Sequence, residues 1–278
     1  PSHPLGFTIT GTQEHVDSFT VEQLRAHHQR HYTAGSCVLA IAGALSDTDA
    51  RRIAEEGFGA VPPGPAVTTR APVHTQKKAR LKVVENVSSQ TELRVCVRAI
   101  AESDPRRPAL DLLMRVIDDG MSTRLYHRIC DAKGLCYDVS AGFDGYEDDG
   151  IIDFAAGVQH ARASRVTREI LELLEELAQG GVTDEELDKA KRRHDWEMQG
   201  LLDSAEDIAG FLAGGLLFER FETPEERASA LRKVTREEVT EMARLLARPE
   251  RLNVIAVGLL ERDEEKHLQE TVKGWKGA

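Results

Sequence analysis

The chain has 278 residues, of which 41% are hydrophobic and 30% charged, and its formal net charge is −11. That length supports one large or two medium domains with real cores, and the acidic balance excludes the basic footprint that nucleic-acid phosphates require. No apolar run reaches the length of a membrane-spanning helix, so a soluble protein with no nucleic-acid or membrane partner is expected.

The four cysteines, Cys37, Cys96, Cys130 and Cys136, include no C-x-x-C pair. Three lie within or beside apolar segments and read as small core residues. That usage favours a reducing compartment, and a cytoplasmic location is expected.

Residues 1–18 read as an extended lead-in. A helix over about 20–32, a strand over about 37–43 and a helix from Ser46 to about Glu56 follow. The stretch FGAVPPGPAVTTRAPVHTQ is rich in Pro and Thr and reads as a linker. The expected organisation is a partial first domain over 1–62, a linker over 63–78 and a complete second domain over 79–278.

The second domain opens with two strands, LKVVEN and TELRVCVRAI, in which β-branched residues alternate with polar ones. A helix after Pro108 carries Leu110, Leu113, Met114 and Ile117 on one face. MSTRLYHRICDAKG reads as a short helix stopped by Gly134, and LCYDVSAGF and GIIDFAAGV as paired strands joined by the acidic loop DGYEDD. Next comes a helix with the stripe Ile170, Leu173, Leu174 and Leu177, ended by Gly180 and Gly181. Thr183 with Glu186 forms a capping box for one further helix, and Thr223-Pro224-Glu225-Glu226 opens another. LNVIAVG is the last strand. Hairpin strands followed by blocks of helices give an α+β fold, an antiparallel sheet covered by helices.

One pattern occurs twice. Residues 19–45 align without a gap on residues 234–260, at an offset of 215. Each copy starts with a capping box (Thr20 with Gln23, Thr235 with Glu238), continues as a helix, and ends in an apolar strand closed by Gly43 or Gly258. The fold is therefore expected to be a duplicated unit with the first copy truncated. Equal units would place about 145 further residues upstream of Pro1.

Local catalytic spacings are absent: there is no G-x-S-x-G, P-loop or G-x-G-x-x-G. His27 and His31 share a helix face at i, i+4 but lack a third ligand, and His27, His28 and His31 read as a polar helix face. His194 with Glu197 resembles a zinc motif H-x-x-E-H that has lost its last His, and it also reads as a polar face. GMSTRLYHRICDAKGLCYDVSAGF gathers Arg124, Tyr126, Arg128, Lys133 and Tyr137 around a helix-to-strand corner. Such groups suit the holding of a peptide backbone or carboxylate. They suit equally well a helix end whose basic residues complement the dipole and neighbouring acids.

GMSTRLYHRICDAKGLCYDVSA resembles the corner motif of the pitrilysin/insulinase metallopeptidases, whose members include mitochondrial processing peptidase. PLGFTITGTQEHVDSFTVEQLRAHHQRHY with CVLAIAGAL resembles the end of that family's first domain, and VTDEELDKAK and KVTREEV resemble helix starts of its second. The resemblance implies two similar α+β domains around a substrate chamber and a zinc endopeptidase activity. Its zinc ligands precede the segment matched here, so no metal ligand, no catalytic residue and no cofactor fall within this chain.

The resemblance also implies a substrate-gripping Arg and Tyr pair. Tyr137 matches the Tyr, while the Arg position is occupied by Cys130, with Arg128 two residues away and Arg124 further back on the same corner. The substrate-binding set is thus Tyr137, Arg124 and Arg128. The implied partners are a peptide or unfolded polypeptide and a related chain in a homo- or heterodimer. Two roles follow: the substrate-holding part of a zinc endopeptidase, or a non-catalytic partner or scaffold subunit.

Overall fold

A computed structural model describes residues 3–278. The chain divides into two compact units, Pro1–Pro72 with Gly200–Thr223, and Val73–Gln199 with Pro224–Ala278. The first boundary falls in the Pro- and Thr-rich stretch, and the segment Gly200–Thr223 belongs to the first unit although it interrupts the second in sequence.

The first unit holds helices α1 (Gln13–Ser18), α2 (Val21–His31) and α3 (Asp47–Phe58). Thr20 and Gln23 cap α2 reciprocally, and the Ser46 hydroxyl accepts from the Asp49 N–H at the start of α3.

In the second unit, β1 (Arg80–Val84) and β2 (Thr91–Arg98) precede α4 (Arg107–Ile117) and α5 (Arg124–Tyr126), and α5 runs directly into a π-helical turn at His127–Asp131. Then come β3 (Cys136–Gly145), β4 (Gly150–Val158), α6 (Ala163–Ala178) and α7 (Asp184–Gly200). Helix α8 (Ala205–Leu217) lies in the first unit. The second unit closes with α9 (Pro224–Lys233), α10 (Arg236–Leu246), β5 (Leu252–Val257) and α11 (Arg262–Gly274).

The five strands form one sheet in the order β1-β5-β2-β4-β3. Pairing is antiparallel throughout except between β1 and β5, which run parallel. Alternation along β2 and β4 puts Leu93, Val95, Val97, Ile152, Phe154 and Val158 under the helices. Their neighbours Arg94, Cys96 and Asp153 lie on the other face, where Arg94 and Asp153 pair across the strands. The core runs from these strands into α4, α6, α10 and α11, and the stripe of α6 (Ile170, Leu173, Leu174, Leu177) is buried throughout.

The internal repeat extends further than its sequence pattern. At the same offset of 215, α2 matches α10, the short 3-10 turn Ala34–Ser36 matches Pro249–Arg251, and the start of α3 matches that of α11. Both capping boxes are closed by the same pair of hydrogen bonds. Burial separates the copies. Leu24 is 57% exposed while its counterpart Val239 is fully buried, and Ile53 is 43% exposed while Leu268 is fully buried.

The strand expected over residues 37–43 is not formed: that segment has no regular structure. A strand exists only through hydrogen bonds to a neighbour. Its counterpart β5 has β1 and β2 on either side, whereas the first unit contains no strand among the described residues.

Candidate functional site

The corner between α5 and β3 is built by one backbone irregularity after another. Helix α5 widens into the π turn, in which the Ala132 N–H reaches the His127 carbonyl (2.8 Å). Gly134, at φ +56, then reverses the chain. Its N–H bonds the Cys130 carbonyl (3.0 Å), and the Leu135 N–H bonds the Ile129 carbonyl (2.9 Å). Only glycine adopts that φ without a Cβ penalty, which is why the helix stops there.

The third irregularity lies at the start of β3. Cys136 is opposite Val158, but Val139 is opposite Ala156, so β3 carries one extra residue in a β-bulge. Val139, Ala141 and Phe143 face the helices, and strict alternation would bury Tyr137 with them. The bulge breaks the alternation: Cys136 is half-buried and Tyr137 is 92% exposed. A phenol at a sheet edge is thus turned outward by the backbone itself. β3 is an edge strand, and Asp118 covers part of that edge by accepting from the Ala141 N–H at 2.7 Å. Burial pushes the Asp118 carboxyl up, and the charges of Asp138 and Asp119 add to this against the hydrogen bond from Ala141.

The basic residues of the corner are engaged inside the unit. Arg124 holds Glu186 in a two-point contact, both bonds 2.6 Å, and donates to the Gly181 carbonyl. Arg128 lies along α6 and donates to Glu169 (2.8 Å), Glu172 (2.8 Å) and Glu176 (2.7 Å), which occupy one helix face at i, i+3, i+7. Lys133 also bonds Glu169. Burial works to raise the Glu169 carboxyl, but the donors Lys133 and Arg128 outweigh it and hold the group below its usual range. Of the three residues expected to bind substrate, Tyr137 stands free at the surface, while Arg124 and Arg128 brace the corner against α7 and α6.

The histidines divide. His27 is exposed and His31 half-buried, with ring centroids 4.4 Å apart. His194, expected on a polar helix face, is instead 5% exposed. Its Nδ1 lies 3.3 Å from an Arg115 guanidinium nitrogen, and its Nε2 has no partner. Burial, reinforced by the charges of Arg115 and Arg227, lowers its pKa to about 4. Arg115 reaches from α4 to α7 and pairs with both Asp119 and Glu197. Beside it a cleft of about 200 Å³ is lined by Arg115, Ser122, Arg124, Lys189 and Arg193.

Among the described residues, no three His, Cys, Asp or Glu side chains come together as a metal site. His27 with His31, and His194 with Glu197, each offer two groups, and a zinc site takes at least three from the protein. Neither pair by itself fits a zinc ion. No helix among the described residues is long and apolar enough to cross a membrane.

Sequence reasoning located this corner through its Arg and Tyr content. It missed the bulge, the π turn and the Asp118 cover, which depend on strand pairing and leave no local signature.

Comparison with known proteins agrees with this architecture. Residues 18–193 match the family described as the peptidase M16 inactive domain. The chain is 29% identical over 248 residues to the zinc protease YmxG of Bacillus subtilis, covering 88% of this chain and 59% of that protein. It is 25% identical over 222 residues to the zinc protease PqqE of Helicobacter pylori, covering 77% of this chain and 50% of that one. The chain thus spans between half and three-fifths of the length of these two relatives.

In three dimensions it superposes on the peptidase M16 inactive domain from Pseudomonas fluorescens with a TM-score of 0.84 at 26% identity, over 94% of this chain and 63% of that one. A Helicobacter pylori protease shares the fold, with a TM-score of 0.79 at 19% identity over 90% of this chain and 61% of that one. With a family match over more than half its length and a shared fold, the chain belongs to the peptidase M16 family of zinc proteases and carries that family's inactive, C-terminal domain.

Proposed function

We propose that this chain is the polypeptide-holding part of a zinc endopeptidase, with the metal supplied from outside these residues and Tyr137 in contact with the substrate. The observation that carries the reading is the bulge that turns Tyr137 out of the core face. Bulges re-aim side chains and are frequent beside functional sites. An extended polypeptide would lie along the β3 edge, its backbone bonding the edge groups that Asp118 leaves open. The Tyr137 hydroxyl would donate to a carbonyl of that polypeptide. Arg124 and Arg128 enter the proposal as the braces that hold Tyr137 in place and as second contacts for a carboxylate.

The exposed apolar face of the first unit supports a further part of this reading. Leu24, Leu39 and Ile53 stand where the second unit buries Val239, Val254 and Leu268. A related domain or chain that supplies the counterparts of β1, β2, α4 and α6 would cover them, and this is the intramolecular or dimeric pairing proposed for the protein.

The second reading, a non-catalytic partner or scaffold subunit, is favoured by Cys130. It replaces a gripping guanidinium with a half-buried thiol while the neighbouring arginines are committed to internal carboxylates.

Turnover of an unfolded polypeptide by the full-length protein tests the first reading. Tyr137→Ala is expected to lower kcat/KM about tenfold or more with zinc content unchanged, and Cys130→Arg to raise it. Unaltered kcat/KM in Tyr137→Ala rejects the role of the tyrosine, and polypeptide binding without any turnover selects the partner subunit.

A further inference from the structure

Cys130 lies in the π turn and Cys136 opens β3, and their sulfurs are 3.9 Å apart. The approach is built by the backbone. The glycine reversal at Gly134 and the hydrogen bonds from Gly134 to Cys130 and from Leu135 to Ile129 fold the intervening residues into a closed loop. Ring closure, which in an open chain costs conformational entropy, is already complete. A disulfide bond of about 2 Å would need the sulfurs to close by a further ~2 Å.

The other two cysteines have no such partner in reach. Cys37 is exposed in the first unit, and Cys96 donates to Asp153 on the far face of the sheet.

We propose that Cys130 and Cys136 are a reversible dithiol–disulfide pair, a modification site that pins the π turn to the bulged start of β3 beside Tyr137. The oxidant is a small disulfide such as glutathione disulfide. The Cys130 thiol loses its proton to solvent, and its sulfur attacks one sulfur of the oxidant. The oxidant's S–S bond breaks, and one glutathione thiolate leaves and is protonated. The Cys136 sulfur, likewise deprotonated, then attacks Cys130 Sγ and displaces the second glutathione. Two electrons pass from the cysteine pair to the oxidant, and two glutathione thiols are released.

The order of attack follows from the surroundings. Burial raises both thiols, that of Cys136 to about 12, but at Cys130 the hydrogen bond from Cys136 acts against the burial. Cys130 therefore attacks first and Cys136 resolves. Little thiolate forms at neutral pH, so exchange is slow there and accelerates as pH rises.

The proposal goes beyond the assignment of substrate contact to Tyr137. One consequence does rest on that assignment: the crosslink fixes the backbone that presents Tyr137, so the oxidised chain binds polypeptide more tightly than the reduced one.

The test is equilibration of the whole chain in graded glutathione redox buffers at mildly alkaline pH, followed by acid quench, alkylation of free thiols and peptide mapping. The expected result is one internal linkage joining the Cys130 and Cys136 peptides, with the chain lighter by two hydrogen atoms and the linkage reversed by dithiothreitol. In Cys136→Ser, glutathione is expected to stay on Cys130. Both thiols still alkylated in the most oxidising buffer, or oxidation that stops at mixed disulfides or links Cys37 or Cys96, overturns the proposal. Mapping the wild-type chain decides the question even if the serine variant does not fold. It involves no substrate, so its failure would leave the role of Tyr137 standing, and loss of that role would leave the disulfide standing.

Discussion

Arg128 shows what the corner residues do at the scale of single side chains. Its guanidinium is shared among three carboxylates of α6, and the Glu169 side chain is nearly buried. Arg128→Met leaves Glu169 to Lys133 alone and is expected to cost about 1–3 kcal/mol in urea unfolding. A loss of polypeptide affinity with unchanged stability would instead show that Arg128 contacts substrate without bracing the corner.

His194 makes the second residue-scale prediction. Its folded pKa is about 4, against an ordinary 6.5. The unfolded chain therefore takes up the proton first as pH falls. Stability from this residue is complete above the unfolded value and is lost between about 6.5 and about 4. Acidification to about pH 5 is expected to cost about 2 kcal/mol through this residue. His194→Gln should flatten the stability profile over that interval, and an identical profile in the variant would refute the assignment. None of this was legible in the sequence, because the polar pattern around His194 matches that of a solvated helix, and its burial depends on tertiary packing.

At the scale of elements, the repeat shows which information is local and which is not. The capping boxes of α2 and α10, the stop at Gly134 and the stripe of α6 were readable because each is set within a few residues. The strand over 37–43 was expected from an apolar run like that of β5 and failed for want of a neighbour. The same contrast predicts opposite responses from matched positions. Val239→Ala on α10 removes a fully buried side chain and should cost roughly 1–3 kcal/mol in global unfolding. Leu24→Ala, the equivalent change on α2, should fall within about 0.5 kcal/mol. Equal losses at the two positions would show that the face of α2 is covered in solution.

For the molecule as a whole, the family was recognisable from the corner motif, and the family match and the shared fold bear that out. The candidate site was half legible. Its Arg and Tyr residues stand out in the sequence, but their division of labour comes from tertiary structure. Arg124 and Arg128 turn inward because acids on α7 and α6 meet them, and Tyr137 turns outward because the strand carries one residue too many.

The central claim is that this outward tyrosine is where the inactive domain meets a polypeptide. Fluorescence anisotropy of a labelled unfolded polypeptide, titrated with the wild-type chain and with Tyr137→Ala, tests it most directly. The account predicts an affinity about tenfold weaker for the variant, a loss of about 1.4 kcal/mol, with an unchanged unfolding midpoint. Equal affinities for the two chains would contradict it.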